Sequence, residues 1–186
     1  MSQPAPAHQG RFEVAMVLFT IVIFIGTLAL NELLFKALEF GPGINWIYLP
    51  AGVRLLALLL FAEAGAVGIL LASWMVCFFW LFPDDYMRSF AGGILAAAAP
   101  YLCYRGAQSL FGVKPSLANL TPRHLLLCAL AYSIASPLLH HIWFAIQGEH
   151  VDLVRGFAVM FAGDLAGTLI VLYTAKAALT LGARRA

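Results

Sequence analysis

Long apolar runs dominate this sequence and restrict how it can fold. Runs of about 20 hydrophobic residues recur along it, and each is long enough to cross a bilayer as a helix. A helix satisfies its own backbone hydrogen bonds, which lipid cannot supply. The chain is 62% hydrophobic and 11% charged, whereas a soluble domain has about 25% charged residues. We therefore predict an all-α, multi-pass membrane protein.

Turn-forming residues divide the apolar sequence into six predicted transmembrane helices. Glycine, proline and acidic clusters separate them, and Thr121-Pro122 is typical of a helix N-cap followed by a first-turn proline. A kink is predicted at Pro100. The predicted helices cover residues 13–36, 46–62, 66–82, 89–108, 121–147 and 151–181, with a tight connection at 63–65. The predicted organisation is a disordered tail over 1–12, one six-helix domain over 13–182 and a basic end over 183–186.

The distribution of basic residues predicts the orientation in the membrane. Lysine and arginine are enriched on the cytoplasmic side of multi-pass proteins. With six spans and a cytoplasmic N-terminus, the C-terminus is also cytoplasmic, and the outer side holds Lys36, Arg88 and Arg155. The inner side then holds the remaining basic residues that we place, which are Arg11, Arg105, Lys114, Arg123, Lys176, Arg184 and Arg185.

Five ionisable residues fall at similar depths inside the predicted helices. Counted at about 1.5 Å per residue from the outer helix ends, they lie about 8–16 Å deep, and Arg54 lies about 11 Å deep on this count. Isolated charges at such depth are costly, so we predict that they converge on one polar pocket in the outer leaflet. Asn31, Tyr132, Ser133 and Ser136 could add hydrogen bonds. The five predicted pocket residues are Glu32, Arg54, His140, His141 and Asp164.

A purely structural interpretation of these residues stays open. Arg54 paired with Glu32 or Asp164 could be a buried ion pair that fixes helix register. His140 and His141 are adjacent, so they point about 100° apart on a helix and cannot both face one site. Either histidine could therefore be a packing residue.

Enzymatic, metal and cofactor functions are not predicted. The sequence lacks HExxH, GxSxG and P-loop patterns. Cys103 is predicted near the inner end of its helix and His140 and His141 near the outer end of theirs, which disfavours a nucleophile and base pair. A bis-histidine haem site lacks a second histidine at the right depth. Three cysteines in apolar stretches, without CxxC spacing, favour packing roles over a disulfide or zinc site.

Two short motifs resemble a known bacterial family. The stretch from Leu49 to Leu60, with Pro50 and Gly52, is similar to the Pro-small-Gly segment of membrane-associated sensor domains of the first MASE type. Gly163-Asp164 followed by Gly167 in the last predicted helix is similar to a second segment of that family. The resemblance covers about residues 45–180. It implies a multi-helix sensory module, which in that family is normally fused to a cytoplasmic kinase or cyclic-dinucleotide enzyme.

The sequence thus predicts a sensor-like module of the bacterial inner membrane. It would bind a small ligand, with Arg54 favouring an anionic one, and act on a separate cytoplasmic partner protein. The alternative is a small-solute transporter or a membrane substrate-binding subunit that uses the same pocket. Contacts with membrane lipid and oligomerisation are compatible with either function, and no nucleic-acid partner is predicted.

Overall fold

The computed structural model describes residues 6–114, 120–148 and 152–183 and is predominantly helical. Its long helices are α1 (Pro6–Phe35), α2 (Leu49–Val76), α3 (Tyr86–Phe111), α4 (Pro122–Ile146) and α5 (Leu153–Ala183). A 3₁₀ turn (Lys36–Leu38) and two short antiparallel strands, β1 (Glu39–Gly41) and β2 (Ile44–Asn45), connect α1 to α2. A π-helical turn (Cys77–Leu81) extends α2.

Four helical segments of the described residues are long and apolar enough to cross a membrane. They are Gly10–Leu38, Leu49–Leu81, Pro122–Ile146 and Leu153–Gly182. The first is the least covered by protein, because 11% of its most apolar window is buried against 44% in each of the other three. The structure therefore supports a helical membrane protein whose α1 presents most of its surface outward, as a lipid-facing helix would.

Helix α2 is broken and folds back on itself. Ala62 has φ 49° and ψ −122°, which is far from helical geometry. A Cβ on Gly65 would collide with the backbone of Ala57, so the parts before and after the break lie side by side. Arg54 and Cys77 line one cavity, although 23 residues of straight helix would separate them by about 34 Å. The break lies next to the connection predicted at residues 63–65.

Small residues allow the second part of α2 to approach its neighbours closely. A Cβ on Gly68 would lie 2.6 Å from the side chain of Thr20 in α1. A Cβ on Gly93 in α3 would collide with the indole of Trp74, which lies in the second part of α2. Gly65 and Gly68 therefore form a close-packing surface, as membrane helices commonly use.

The extended backbone before α2 is buried against two glycines of α5. Cβ atoms at Gly163 and Gly167 would collide with the carbonyl oxygens of Asn45 and Tyr48 respectively. The Tyr48 amide donates to the Gly163 carbonyl oxygen at 3.1 Å. Non-helical backbone is tolerated at membrane depth where protein buries it. This crossing explains why the sequence has glycine at both α5 positions.

Asn31 of α1 caps the start of α2, and Gly52 lets this start pack closely on α5. The Leu49 amide donates to Asn31 Oδ1 of α1 at 2.8 Å, which satisfies one free donor of the helix end. Pro50 occupies the first turn, where its missing N–H costs little. A Cβ on Gly52 would lie 2.7 Å from the Gly167 carbonyl oxygen. Pro50 and Gly52 therefore have structural roles at this crossing.

Several predicted boundaries differ from the structure. Helix α1 begins at Pro6, so it includes residues 6–12 of the tail predicted over 1–12. Helix α2 begins at Leu49, because residues 44–48 are held extended against α5. Helix α3 runs from Tyr86 to Phe111, beyond the predicted 89–108 at both ends, and Pro100 lies inside it. The Thr121 N-cap is confirmed, since its hydroxyl accepts from the His124 amide. Residues 184–186 of the predicted basic end lie outside the described residues.

Candidate functional site

Arg54 lies at the centre of a buried polar cluster. Its side chain is 8% exposed. The guanidinium carbon lies 5.3 Å from the ring centroid of Phe24 in α1 and 5.4 Å from that of Tyr48. Such cation–π contacts stabilise a desolvated arginine by about 2 kcal/mol or more each, which offsets part of the several kcal/mol that burying an ion costs. Arg54 therefore needs further polar partners.

Asp164, Tyr132 and Ser136 bring α4 and α5 to this arginine. Asp164 is 1% exposed, and Tyr132 and Ser136 are fully buried. Asp164 and the Tyr132 hydroxyl are electrostatic neighbours of Arg54, and Ser136 lies beside both of them. No carboxylate oxygen among the described residues is within 4.0 Å of an Arg54 nitrogen. The Arg54 and Asp164 charges therefore act on each other across a gap.

Polar atoms around this gap lie near one another but make no hydrogen bond of good geometry among the described residues. The atoms include Arg54 Nε, Asp164 Oδ2 and the hydroxyls of Tyr132 and Ser136. Most buried polar atoms in proteins are paired with protein or ordered water. Unpaired ones cost about 1–3 kcal/mol each, and more when charged. Further such atoms occur on Asn31, Asn45, Ser73, Ser133, His141, Trp143 and Thr168.

A small cavity adjoins Arg54 beneath the turn that joins β1 to β2. Its volume is about 50 Å³. Arg54, Arg88 and His140 bring basic groups of α2, α3 and α4 to its wall, and Cys77 adds a thiol. His140 Nδ1 lies 2.8 Å from the Ser136 carbonyl oxygen. Because that oxygen can only accept, Nδ1 carries the proton in this contact.

Three of the five predicted pocket residues come together, and two do not. Arg54 and His140 line the cavity, and Asp164 is an electrostatic neighbour of Arg54 that does not line it. Glu32 lies instead in a groove between α1 and the end of α2, where it forms an ion pair of 3.9 Å with Lys36. His141 is turned to Phe144 and Phe157 with edge-on ring contacts. The 100° between adjacent helix positions separates the two histidines, as expected.

The sequence analysis missed three residues of the site. A tyrosine just before an apolar helix is typical of the membrane surface, but Tyr48 is buried beside Arg54. Cys77 was interpreted as a packing residue, but it lines the cavity. Arg88 was counted only as an outer-side charge. Its guanidinium lies over the ring of Phe82 at 4.3 Å and reaches the cavity from the first turn of α3.

The arrangement suits binding of a polar group better than metal chemistry. Within residues 6–114, 120–148 and 152–183, no three His, Cys, Asp or Glu side chains meet as a ligand set. Arg54 and His140 bring nitrogen-bearing polar groups to the cavity wall. Comparisons with protein-family models, curated proteins and solved structures found no match to this chain.

Proposed function

We propose that this chain is a sensor-like membrane module that binds a small ligand in the cavity beside Arg54 and acts on a separate cytoplasmic partner. The observation that carries the proposal is the set of buried, unpartnered polar atoms around Arg54 and Asp164. Burying such atoms without partners is unfavourable, and in proteins water or a ligand usually supplies the missing hydrogen bonds. A dry ion pair would instead have its charged atoms in contact.

The folded-back helix α2 supports a route for the signal. Arg54 lies on its first part and Cys77 follows its second part, so a ligand between them contacts both. The parts meet at Ala62, whose positive φ is strained for a residue with a Cβ. Beside the break, Glu63 accepts from Tyr101 at 3.2 Å and lies 3.6 Å from Arg105. A ligand that changes the angle between the two parts would shift this exposed polar group.

The proposed orientation makes six crossings, with both parts of α2 counted separately and both termini in the cytoplasm. The supporting observations are the fold-back at Ala62 and the excess of basic residues on the proposed inner side. In a bacterial cell, the loop at Asp84 then lies outside the cytoplasmic membrane and Lys114 lies inside.

We expect reporters fused at these two loops to give opposite results. Alkaline phosphatase fused after Asp84 should be active and green fluorescent protein fused there should be dark, because each matures on only one side of the membrane. The pattern should reverse after Lys114. The same pattern at both positions would contradict the proposed topology and the route from an outer ligand to an inner partner.

We expect water to reach the polar cluster but not the nearby apolar core. In a variant lacking the three native cysteines, Ser136→Cys should react with a small thiol reagent that cannot cross the membrane, added from outside. Ala72→Cys is the matched control, because both positions are fully buried but Ala72 lies in the apolar core. Equal protection of both cysteines in folded protein would identify the cluster as a dry structural network.

A further inference from the structure

A groove runs along the lateral surface of the helices, between α1 and the end of α2. We propose that it binds one phospholipid whose headgroup carries a primary ammonium, as phosphatidylethanolamine does. One acyl chain lies in the groove, with the ammonium at Glu32 and the phosphate at Lys36. The groove shares no described lining residue with the cavity beside Arg54, so this inference does not rest on the proposed function.

The groove is elongated, apolar along its length and acidic at one end. Its volume is about 430 Å³, against about 50 Å³ for the cavity beside Arg54. It follows α1 for two helical turns, or about 10 Å, and this shape suits a flexible hydrocarbon chain better than a compact solute. The groove is lined by Ile25, Leu28, Ala29 and Glu32 of α1 and by Met75, Val76, Phe79 and Trp80 at the end of α2.

The position of the groove determines what can fill it. Helix α1 is the least covered of the four apolar segments. On the other wall, the π-helical turn presents Phe79 and Trp80, which are 82% and 65% exposed. The hydrocarbon region of a bilayer contains no water to fill such a groove. Its occupant is therefore an acyl chain, or a second protein if one covers this face.

The acyl chain alone does not select one lipid from another, because lipid tails are as apolar as the side chains that they contact. Selection has to come from the headgroup. The segment Gly10–Leu38 has 29 residues, about 43 Å of helix, which matches the roughly 40–45 Å of a bilayer with its headgroups. Glu32 lies six residues, or about 9 Å, before the end of this segment. Its carboxylate is thus close to the boundary between headgroups and hydrocarbon.

The Glu32 carboxylate retains the capacity to accept hydrogen bonds. Its side chain is 25% exposed, and one of its oxygens lies 3.9 Å from Lys36 Nζ, which is too far for a hydrogen bond. No other described residue donates a hydrogen bond to this carboxylate. An acidic side chain within a membrane segment is unfavourable unless a partner offsets its charge. A headgroup that donates hydrogen bonds supplies what the loose ion pair does not.

Glu32 and Lys36 together are complementary to a zwitterionic headgroup. Side chains four residues apart on a helix lie about 5–6 Å from each other, and a two-carbon linker joins the ammonium and phosphate of ethanolamine. The ammonium donates up to three hydrogen bonds, and the phosphate accepts from Lys36. A choline headgroup has no N–H to donate. A glycerol headgroup has no positive charge for Glu32. Both are therefore expected to bind more weakly.

The test of headgroup selection is native mass spectrometry of the protein released from nanodiscs. The nanodiscs contain equal amounts of phosphatidylethanolamine, phosphatidylcholine and phosphatidylglycerol with identical acyl chains. We expect one retained phospholipid, with ethanolamine enriched over choline by roughly tenfold, the effect of a charge-assisted hydrogen bond. Glu32→Gln should bring the three lipids close to equal retention.

Glu39→Gln is the matched control, because Glu39 is an exposed acid just beyond α1 that does not line the groove. It should keep the preference for ethanolamine. Equal retention of the three lipids by the unmodified protein would overturn the proposal, as would an equal loss of preference in Glu32→Gln and Glu39→Gln. Preference for phosphatidylglycerol would also overturn it, since Lys36 alone would then select the lipid.

A second pair of variants tests the place of binding without changing any charge. Ala29→Trp fills the groove and should abolish lipid retention. Leu30→Trp is its control, because Leu30 is the next residue and is also exposed, but it does not line the groove. Equal retention in the two variants would place the lipid elsewhere and overturn the proposal.

The same spectra report the oligomeric state and so distinguish a lipid from a second copy of the chain. We expect the lipid to be retained by the monomer. A dimer that carries no phosphatidylethanolamine and dissociates in Ala29→Trp but not in Leu30→Trp would place a second copy in the groove. That result would overturn the assignment of the groove to a lipid.

Discussion

Gly163→Ala and Gly167→Ala should each destabilise the protein by at least about 3 kcal/mol, the upper part of the usual range for overpacking. At both positions a Cβ would collide with a backbone carbonyl oxygen, of Asn45 or Tyr48. Backbone cannot rotate away as a side chain can, so the extended segment has to leave α5. The Tyr48–Gly163 hydrogen bond would be lost with it.

The measurement is thermal unfolding in detergent, followed by the fraction of protein that remains monodisperse. Gly26→Ala is the matched control, because Gly26 lies on the exposed side of α1 with nothing within 4 Å of its Cβ position. It should be neutral or stabilising by up to about 1 kcal/mol from helix propensity. Equal melting temperatures for Gly163→Ala and Gly26→Ala would show that the extended segment does not pack on α5 as described.

Removing one charge of the Arg54–Asp164 pair should cost about 3–5 kcal/mol, because the other charge is left buried. Arg54→Met and Asp164→Asn are the single variants. The double variant should be more stable than the sum of the singles by about 1–3 kcal/mol, the usual coupling within one polar network. Coupling is expected without direct contact, since the charges of Arg54 and Asp164 act on each other across the gap.

Glu32→Gln is the control for this cycle, since Glu32 was the other carboxylate considered for Arg54. It is partly exposed and pairs with Lys36 at 3.9 Å, and such pairs contribute about 0–1 kcal/mol. Its loss should therefore be small and additive with Arg54→Met. Strict additivity of Arg54→Met with Asp164→Asn, together with coupling to Glu32→Gln, would reverse the assignment.

The class of fold could be predicted from the sequence because apolar length alone decides it. The three residues of the predicted pocket that meet, Arg54, His140 and Asp164, could be found because ionisable side chains are rare in apolar helices. Glu32 could not be excluded in this way. Its depth along α1 is similar, but the rotation of that helix turns it to a surface groove, and rotation depends on packing.

Residues whose role depends on distant backbone could not be recognised. Tyr48 is typical of an interfacial anchor, and only the crossing of residues 45–48 over α5 buries it. That crossing also alters the predicted depth of Arg54, which was counted from a helix beginning near Trp46. Gly52 packs against Val171, 18 residues or about 27 Å along α5 from Leu153. The backbone of Arg54 therefore lies deeper in the fold than the predicted 11 Å, and its side chain extends outward to reach the cavity.

The crossing over α5 also determines when this protein can finish folding during its synthesis. Asn45 and Gly163, which meet there, are separated by 118 residues of chain, and synthesis at about 5–20 residues per second makes that delay several seconds or more. Until α5 is inserted, the extended backbone around Tyr48 has no partner to bury it. A ribosome-bound chain that ends before α5 should therefore be a substrate for membrane chaperones and quality-control proteases, whereas one that includes Gly167 can complete the fold.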